Sequence, residues 1–197
     1  YSIRAFQNRT VLELTAKTLP DQVGHRPDQK ELQLQRRLTI DKLYTFFYQE
    51  KEQGFLFPGE SHPFPELTYV DHGELHSVAD GQDILLKQGD IAVFGPNQWH
   101  MHYADIGVAP GYVTISFDME GADIEPLLNR KFTAPQNTVT LLQQMLQEQE
   151  KMDAFSSNII LSRLELLLLL LLREDREPRA GKLQTSTTII KFIPLTL

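Results

Sequence analysis

The sequence predicts a mainly β domain, an antiparallel barrel, followed by a helical segment. Three observations predict it. From Gly54 to Gly111, short apolar runs alternate with Gly, Pro, Asn and Asp about every eight to ten residues, the spacing of a sandwich or barrel. After Met119 the texture changes to longer apolar runs with helical spacing, ending in the unbroken leucines Leu166–Leu172. The chain has 197 residues and no cysteine. A domain of that size buries roughly 70% of its unfolded surface and needs no disulfide to hold it.

Charge narrows the function classes. The net charge is −7 and the pI about 5.4, with no Lys/Arg cluster beyond isolated pairs such as Arg36-Arg37. A DNA-binding domain carries a basic face, so any DNA contact is expected on a domain outside this chain. Residues 1–20 contain no apolar secretory core, and the cytoplasm is the expected compartment. A transmembrane helix needs about 20 apolar residues. The leucine run is shorter, follows Ser162, Arg163 and Glu165, and stops at Arg173-Glu174-Asp175, so no membrane span is expected.

Taken in order, residues 1–35 read as an N-terminal arm with edge strands, with a polar loop at 20–30 that holds His25. Residues 36–120 form the expected barrel. Leu38–Gln49 is rich in β-branched and aromatic residues and predicts a strand, with Tyr44, Phe46 and Tyr48 on one face by period 2. Phe55–Phe57, Leu67–Val70, Glu74–Val78, Ile84–Leu86, Ile91–Phe94, Trp99–Tyr103 and Tyr112–Phe117 follow as strands. Asp80-Gly81 predicts a two-residue hairpin turn, because both central positions of a type I′ turn take positive φ.

Residues 121–177 are the helical segment. Asp123–Asn129 predicts a short helix with Pro126 in its first turn. Asn137 or Thr138 is the expected cap of a helix to about Lys151, with Leu141, Leu142, Met145, Leu146 and Met152 on its apolar stripe. Ser156 or Ser157 is the expected cap of a second helix, to about Glu174. A helix apolar all round is buried on all sides, which predicts a homodimer with Leu161, Leu164, Leu167, Leu168 and Leu171 at the interface. Residues 178–197 read as a linker and an apolar tail.

Five of the six histidines and the only tryptophan fall between Glu60 and His102. Glu60, His62, Glu66 and His100 offer two imidazoles and two carboxylates, a donor set suited to Fe, Mn, Ni or Zn. The same groups also serve as a metal-free polar patch at the barrel mouth. Candidate ligand-binding residues are His62, Glu66, Trp99, His100, His102, Tyr44, Tyr48, Tyr69 and Tyr112. Trp99 is the candidate platform for a sugar ring or another flat face. Alternation sets His100 and His102 on one face of their strand, opposite Trp99 and Met101.

The stretch His62-Pro-Phe-Pro-Glu66-Leu67, then Gly73, then Gly89-Asp90, then Pro96 and His100 resembles the cupin superfamily. Within it, the chain resembles the effector-binding and dimerisation domain of AraC-type transcription regulators, over about Leu38 to Glu174. The resemblance implies a cupin-like double-stranded β-helix, a small-molecule effector (sugars being a natural guess), and dimerisation through the trailing helices. Metal-binding cupins carry His-x-His before the glutamate, and here Glu60 stands at the first position. The preferred expectation is therefore a non-catalytic sensor with no cofactor, whose DNA-binding half is not in this chain. The alternative is a metal-dependent cupin oxygenase or isomerase holding one divalent transition metal at Glu60, His62, Glu66 and His100.

Overall fold

The computed structural model describes residues 38–176, apart from Ala122. The expected N-terminal arm and the 178–197 tail lie outside the described residues. Among the described residues, nine strands form two antiparallel sheets. The first strand, β1 (Thr39–Glu50), is followed by β2 (Leu56–Glu60), β3 (Glu66–His72), β4 (Glu74–Ala79) and β5 (Gln82–Lys87). Next come β6 (Asp90–Phe94), β7 (His100–Tyr103), β8 (Gly111–Glu120) and β9 (Lys131–Thr133). The five-stranded sheet runs β1-β8-β3-β6-β9 and the four-stranded sheet β2-β7-β4-β5. The predicted antiparallel barrel with C-terminal helices is the observed architecture.

The inner strands of the five-stranded sheet are buried on both faces, and their residues show why. Along β3 and β6 every residue from Glu66 to Asp71 and from Asp90 to Phe94 is buried, as expected of strands covered on two sides. One apolar cluster joins Val70, Ala92, Phe94 and Tyr112 of this sheet to Leu75, Ala79 and Leu86 of the other, and fills the barrel. The alternate residues Leu67, Tyr69, Ile91, Val93, Val113, Ile115 and Phe117 join a second cluster with the helices. Asp80 and Gly81 both adopt positive φ, 48° and 78°, so the β4–β5 hairpin turns where the sequence requires.

β1 departs from strict alternation. Its pairing with β8 shifts between Leu43 and Thr45, leaving Tyr44 as the extra residue of a bulge. Tyr44 therefore leaves the face of Phe46 and Tyr48, and 46% of its surface is exposed. At the end of the barrel near β2, Gly59 takes φ +105° under the Trp99 ring, and an added Cβ would stand 2.5 Å from a ring carbon. Gly59→Ala is expected to lower stability by about 1–3 kcal/mol, the usual cost of a non-glycine residue held at such φ. A thermal melt that moves by less than 2 °C, roughly what 0.5–1 kcal/mol produces in a chain this size, would contradict it.

The predicted short helix is one 3-10 turn, Glu125–Leu127, with Pro126 in its first positions. Helix α1 spans Gln136–Lys151, and Pro135 precedes it with no side-chain cap. The expected Asn137 or Thr138 cap is absent because both residues already lie inside the helix. Helix α2 spans Ser156–Arg176. Its cap is Asp153, whose Oδ1 accepts the N–H groups of Phe155 (2.8 Å) and Ser156 (3.1 Å). Ser156 returns the contact, its Oγ accepting Asp153 N–H at 3.0 Å, which is the reciprocal logic of a capping box. Met152 is 79% exposed and leaves the apolar stripe of α1, because the helix ends there in a left-handed residue.

The leucine run is spent largely inside this chain. Leu164, Leu167, Leu168 and Leu171 are fully buried and pack with α1 and the outer face of the five-stranded sheet. They cannot form a dimer interface, which corrects that expectation. Only Leu161 of the five is partly buried. Glu165 Oε1 also accepts the N–H of Ile40 at 3.0 Å, tying α2 to β1. Among the described residues no helix is long and apolar enough to cross a membrane.

Candidate metal centre

Three strands and the segment between two of them bring donor groups to one end of the barrel. Glu66 begins β3, and period 2 sends it inward with Thr68 and Val70. His100 and His102 point inward from β7 and are buried, as the alternation predicts. Glu60 ends β2, paired opposite His100. His62 lies in the Pro-rich segment between β2 and β3. Glu60, His62, Glu66 and His100 each place one donor atom within 4.8 Å of the others, so the four residues singled out from their spacing do converge.

The imidazoles are oriented by the backbone. His62 Nδ1 donates to the Phe64 carbonyl at 2.7 Å, and His100 Nδ1 to the Gln98 carbonyl at 3.0 Å. Each Nε2 then faces the Glu66 carboxylate, His62 at 3.3 Å and His100 at 3.4 Å. A neutral imidazole with its proton on Nδ1 presents a lone pair at Nε2. Lone pairs facing a carboxylate repel unless a proton or a metal cation lies between them. His100 Nε2 is buried and meets no hydrogen-bond partner, the state of a ligand atom whose second nitrogen has been fixed for it.

Glu66 is only 3% exposed. Burial alone would raise its pKa, but contacts with His100, His102 and Ser116 outweigh it and hold the carboxyl well below the usual carboxylate range. Burial pulls the His100 pKa down, and the contacts with Glu66 and the Gln98 carbonyl overcome that and leave it raised. Glu66 thus stays anionic and attracts a cation, proton or metal. The donor set of imidazoles and carboxylates suits a first-row divalent metal, and the residues present fit one.

Sequence reasoning missed two hydroxyls. Ser116 Oγ donates to Glu66 Oε2 at 2.7 Å and also contacts Thr45 Oγ1 in a very short hydrogen bond. Alternation along β8 carries the signal, since Tyr112 inward implies Thr114 and Ser116 inward. Ser77 Oγ lies 2.9 Å from His102 Nδ1.

Four candidate aromatics do not line the centre as expected. Trp99 precedes β7 and lies across Gly59 on the outside, 44% exposed. Tyr69 falls three residues after Glu66 on β3, so it points to the helices and joins their cluster. Tyr48 shares that outer face, and its hydroxyl hydrogen-bonds Glu50 and, at 3.4 Å, Asp71. Tyr44 stacks on Phe64 at 3.9 Å, and Phe64 stacks on His62 at 4.2 Å, which leaves Tyr44 one ring away from the donors. Tyr112 does face inward, its ring 6.1 Å from that of His102. A groove of about 480 Å3 opens beside the His62–Glu66 segment, lined by Pro63, Pro65, Pro96, Asp118, Met119 and Leu128 among others.

Comparison with known proteins agrees with the architecture. The family model for the cupin domain matches residues 47–110. Solved structures similar to this chain include a cupin protein from Bacteroides fragilis at 21% identity and TM-score 0.36, covering 37% of this chain and 64% of that one. A predicted oxalate decarboxylase from Thermotoga maritima is 18% identical at TM-score 0.37, covering 39% of this chain and 67% of that one. A salicylate 1,2-dioxygenase from Pseudaminobacter salicylatoxidans is 16% identical at TM-score 0.35, covering 40% of this chain and 26% of that one. At TM-scores below 0.5 none of them bears on the chemistry of this chain. No curated protein matches the sequence.

Proposed function

We propose that this cupin domain binds one divalent transition metal through Glu60, His62, Glu66 and His100, and holds a small molecule beside it. The observation that carries the reading is the convergence of two backbone-oriented Nε2 atoms on one buried carboxylate. This departs from the cofactor-free expectation from sequence, because a metal cation satisfies lone pairs so arranged. When bound, such a metal supplies a Lewis acid and, for iron or manganese, a redox centre. The chain's own residues do the rest. Phe64 and Gln98 carbonyls fix the two ring orientations, Ser116 holds the Glu66 carboxylate in place, and Phe94, stacked on His100 at 5.0 Å, keeps that side of the site dry. Calorimetric titration of chelator-stripped protein tests the proposal. A one-site isotherm with Mn, Fe, Ni or Zn supports it, and no binding to any of them overturns it.

A second reading, the ligand-sensing and dimerisation domain of an AraC-type regulator acting on DNA through another domain, is favoured by the free face of α2. Phe155 (69%), Leu166 (47%) and Leu169 (37%) remain exposed. With Ile159, Ser162 and Arg173 they follow spacings of four and three alternately, the seam of two helices packed side by side. In this reading a second copy covers the seam, which displaces the interface from the buried leucines to Phe155, Leu166 and Leu169. Leu166→Glu with Leu169→Glu is expected to shift sedimentation from dimer to monomer while the far-UV spectrum stays unchanged. A wild type that sediments as a monomer at 100 μM, roughly a 5 kcal/mol ceiling on association, would contradict it.

A further inference from the structure

His102 is the buried group next to the proposed centre that the four-donor set leaves unused. It lies on β7 with its side chain 4% exposed, and its Nε2 stands 3.9 Å from Glu66 Oε1. That nitrogen is buried and has no hydrogen-bond partner. Aromatic rings wall the imidazole: Phe94 at 5.7 Å, Tyr112 at 6.1 Å and Phe57 at 6.2 Å between centroids. The two phenylalanines have no polar group to satisfy it, and the Tyr112 hydroxyl donates to Gln49 Oε1 at 3.3 Å instead. The other nitrogen is held by Ser77 Oγ at 2.9 Å. As at His62 and His100, Nδ1 is engaged and Nε2 faces Glu66, here with a hydroxyl that can accept from Nδ1–H in place of a backbone carbonyl.

Resting on the metal reading above, we infer that His102 supplies a third imidazole to the same ion. Two donors each about 2.1 Å from one metal are at most about 4.2 Å apart. The three Nε2 atoms stand 3.3, 3.4 and 3.9 Å from Glu66 oxygens, all inside that limit. On the metal, Nδ1–H donates to Ser77 Oγ and Nε2 turns its lone pair to the ion. His102 then joins His62, Glu66 and His100 on the ion, with the exposed Glu60 on the solvent side of the same group. Three imidazoles make the site nitrogen-rich, which selects later first-row ions over Mg2+ or Ca2+.

The test counts imidazoles. Wild-type protein loaded with one equivalent of copper(II) is examined by pulsed electron paramagnetic resonance, which counts histidine rings on the metal without any activity assay. The expected count is three in the wild type, two in His102→Gln and three in Glu60→Gln. His102→Gln should also weaken copper binding by more than the roughly 10–100-fold that loss of an outer-shell contact costs. A wild-type count of two overturns the inference and leaves the metal reading standing. This holds even if His102→Gln does not fold, because the wild-type count alone decides. Failure of wild-type protein to bind copper, nickel or zinc overturns the metal reading and this inference with it.

Discussion

Leu167→Ala is expected to destabilise the domain by about 2–5 kcal/mol, the range for deleting a fully buried leucine side chain. At roughly 2–4 °C per kcal/mol for a chain of this length, the melting point should fall by about 5–20 °C. Leu167 has no exposed surface; it packs into the layer formed by α1, α2 and the outer face of the five-stranded sheet. The loss should be the same at low and high protein concentration, because the cavity opens inside one chain. Equal sensitivity is expected at Leu164 and Leu171. If these leucines lay between two copies, the melting point of the wild type would rise with concentration and the variants would lose that dependence. Denaturant melts at two concentrations a hundredfold apart distinguish the two.

Glu66→Gln is expected to remove stoichiometric metal while the barrel remains folded. The amide keeps the volume of the side chain and can still accept from Ser116, so the packing around β3 and β8 is retained. What it loses is the negative charge toward which His62, His100 and His102 all turn. Ligand carboxylates bind as anions, and a neutral amide is a weak donor to a transition metal. Affinity should drop by more than the roughly 10–100-fold typical of an outer-shell change, measured by competition with a chromogenic chelator. His100→Ala should behave alike in metal affinity. A Glu66→Gln protein that keeps wild-type affinity would remove the carboxylate from the centre.

Much of this was legible in the sequence because period 2 and turn chemistry are local. The Asp80-Gly81 turn, the strand succession and the inward pairing of His100 with His102 follow from neighbouring residues alone. The donor types were legible too, but not how they meet: spacing sets Glu60 and His62 on one strand face, whereas β2 ends at Glu60 and His62 lies in the Pro-rich segment beyond it. Tyr69 was also legible: once Glu66 points inward, a residue three positions on must point outward. Trp99 and Tyr44 were not, because one precedes its strand and the other occupies a bulge that only pairing with β8 creates. The leucine run misled for a related reason. Its composition says that the helix is buried but not against what, and the outer face of the five-stranded sheet takes most of it. The network in which Glu148, 2% exposed, meets Lys151, Ser156 and Arg163 depends on the α1–α2 crossing, which no local pattern encodes.

The most direct test of the central claim is the metal content of wild-type protein purified without chelators, by elemental analysis per chain, beside Glu66→Gln prepared identically. About one equivalent of a single first-row transition metal per chain, absent from the variant, is the expected result. Wild-type protein with no stoichiometric metal, which also takes up none when supplied with Mn, Fe, Ni or Zn, would contradict it. The three imidazoles around Glu66 would then be a metal-free polar patch.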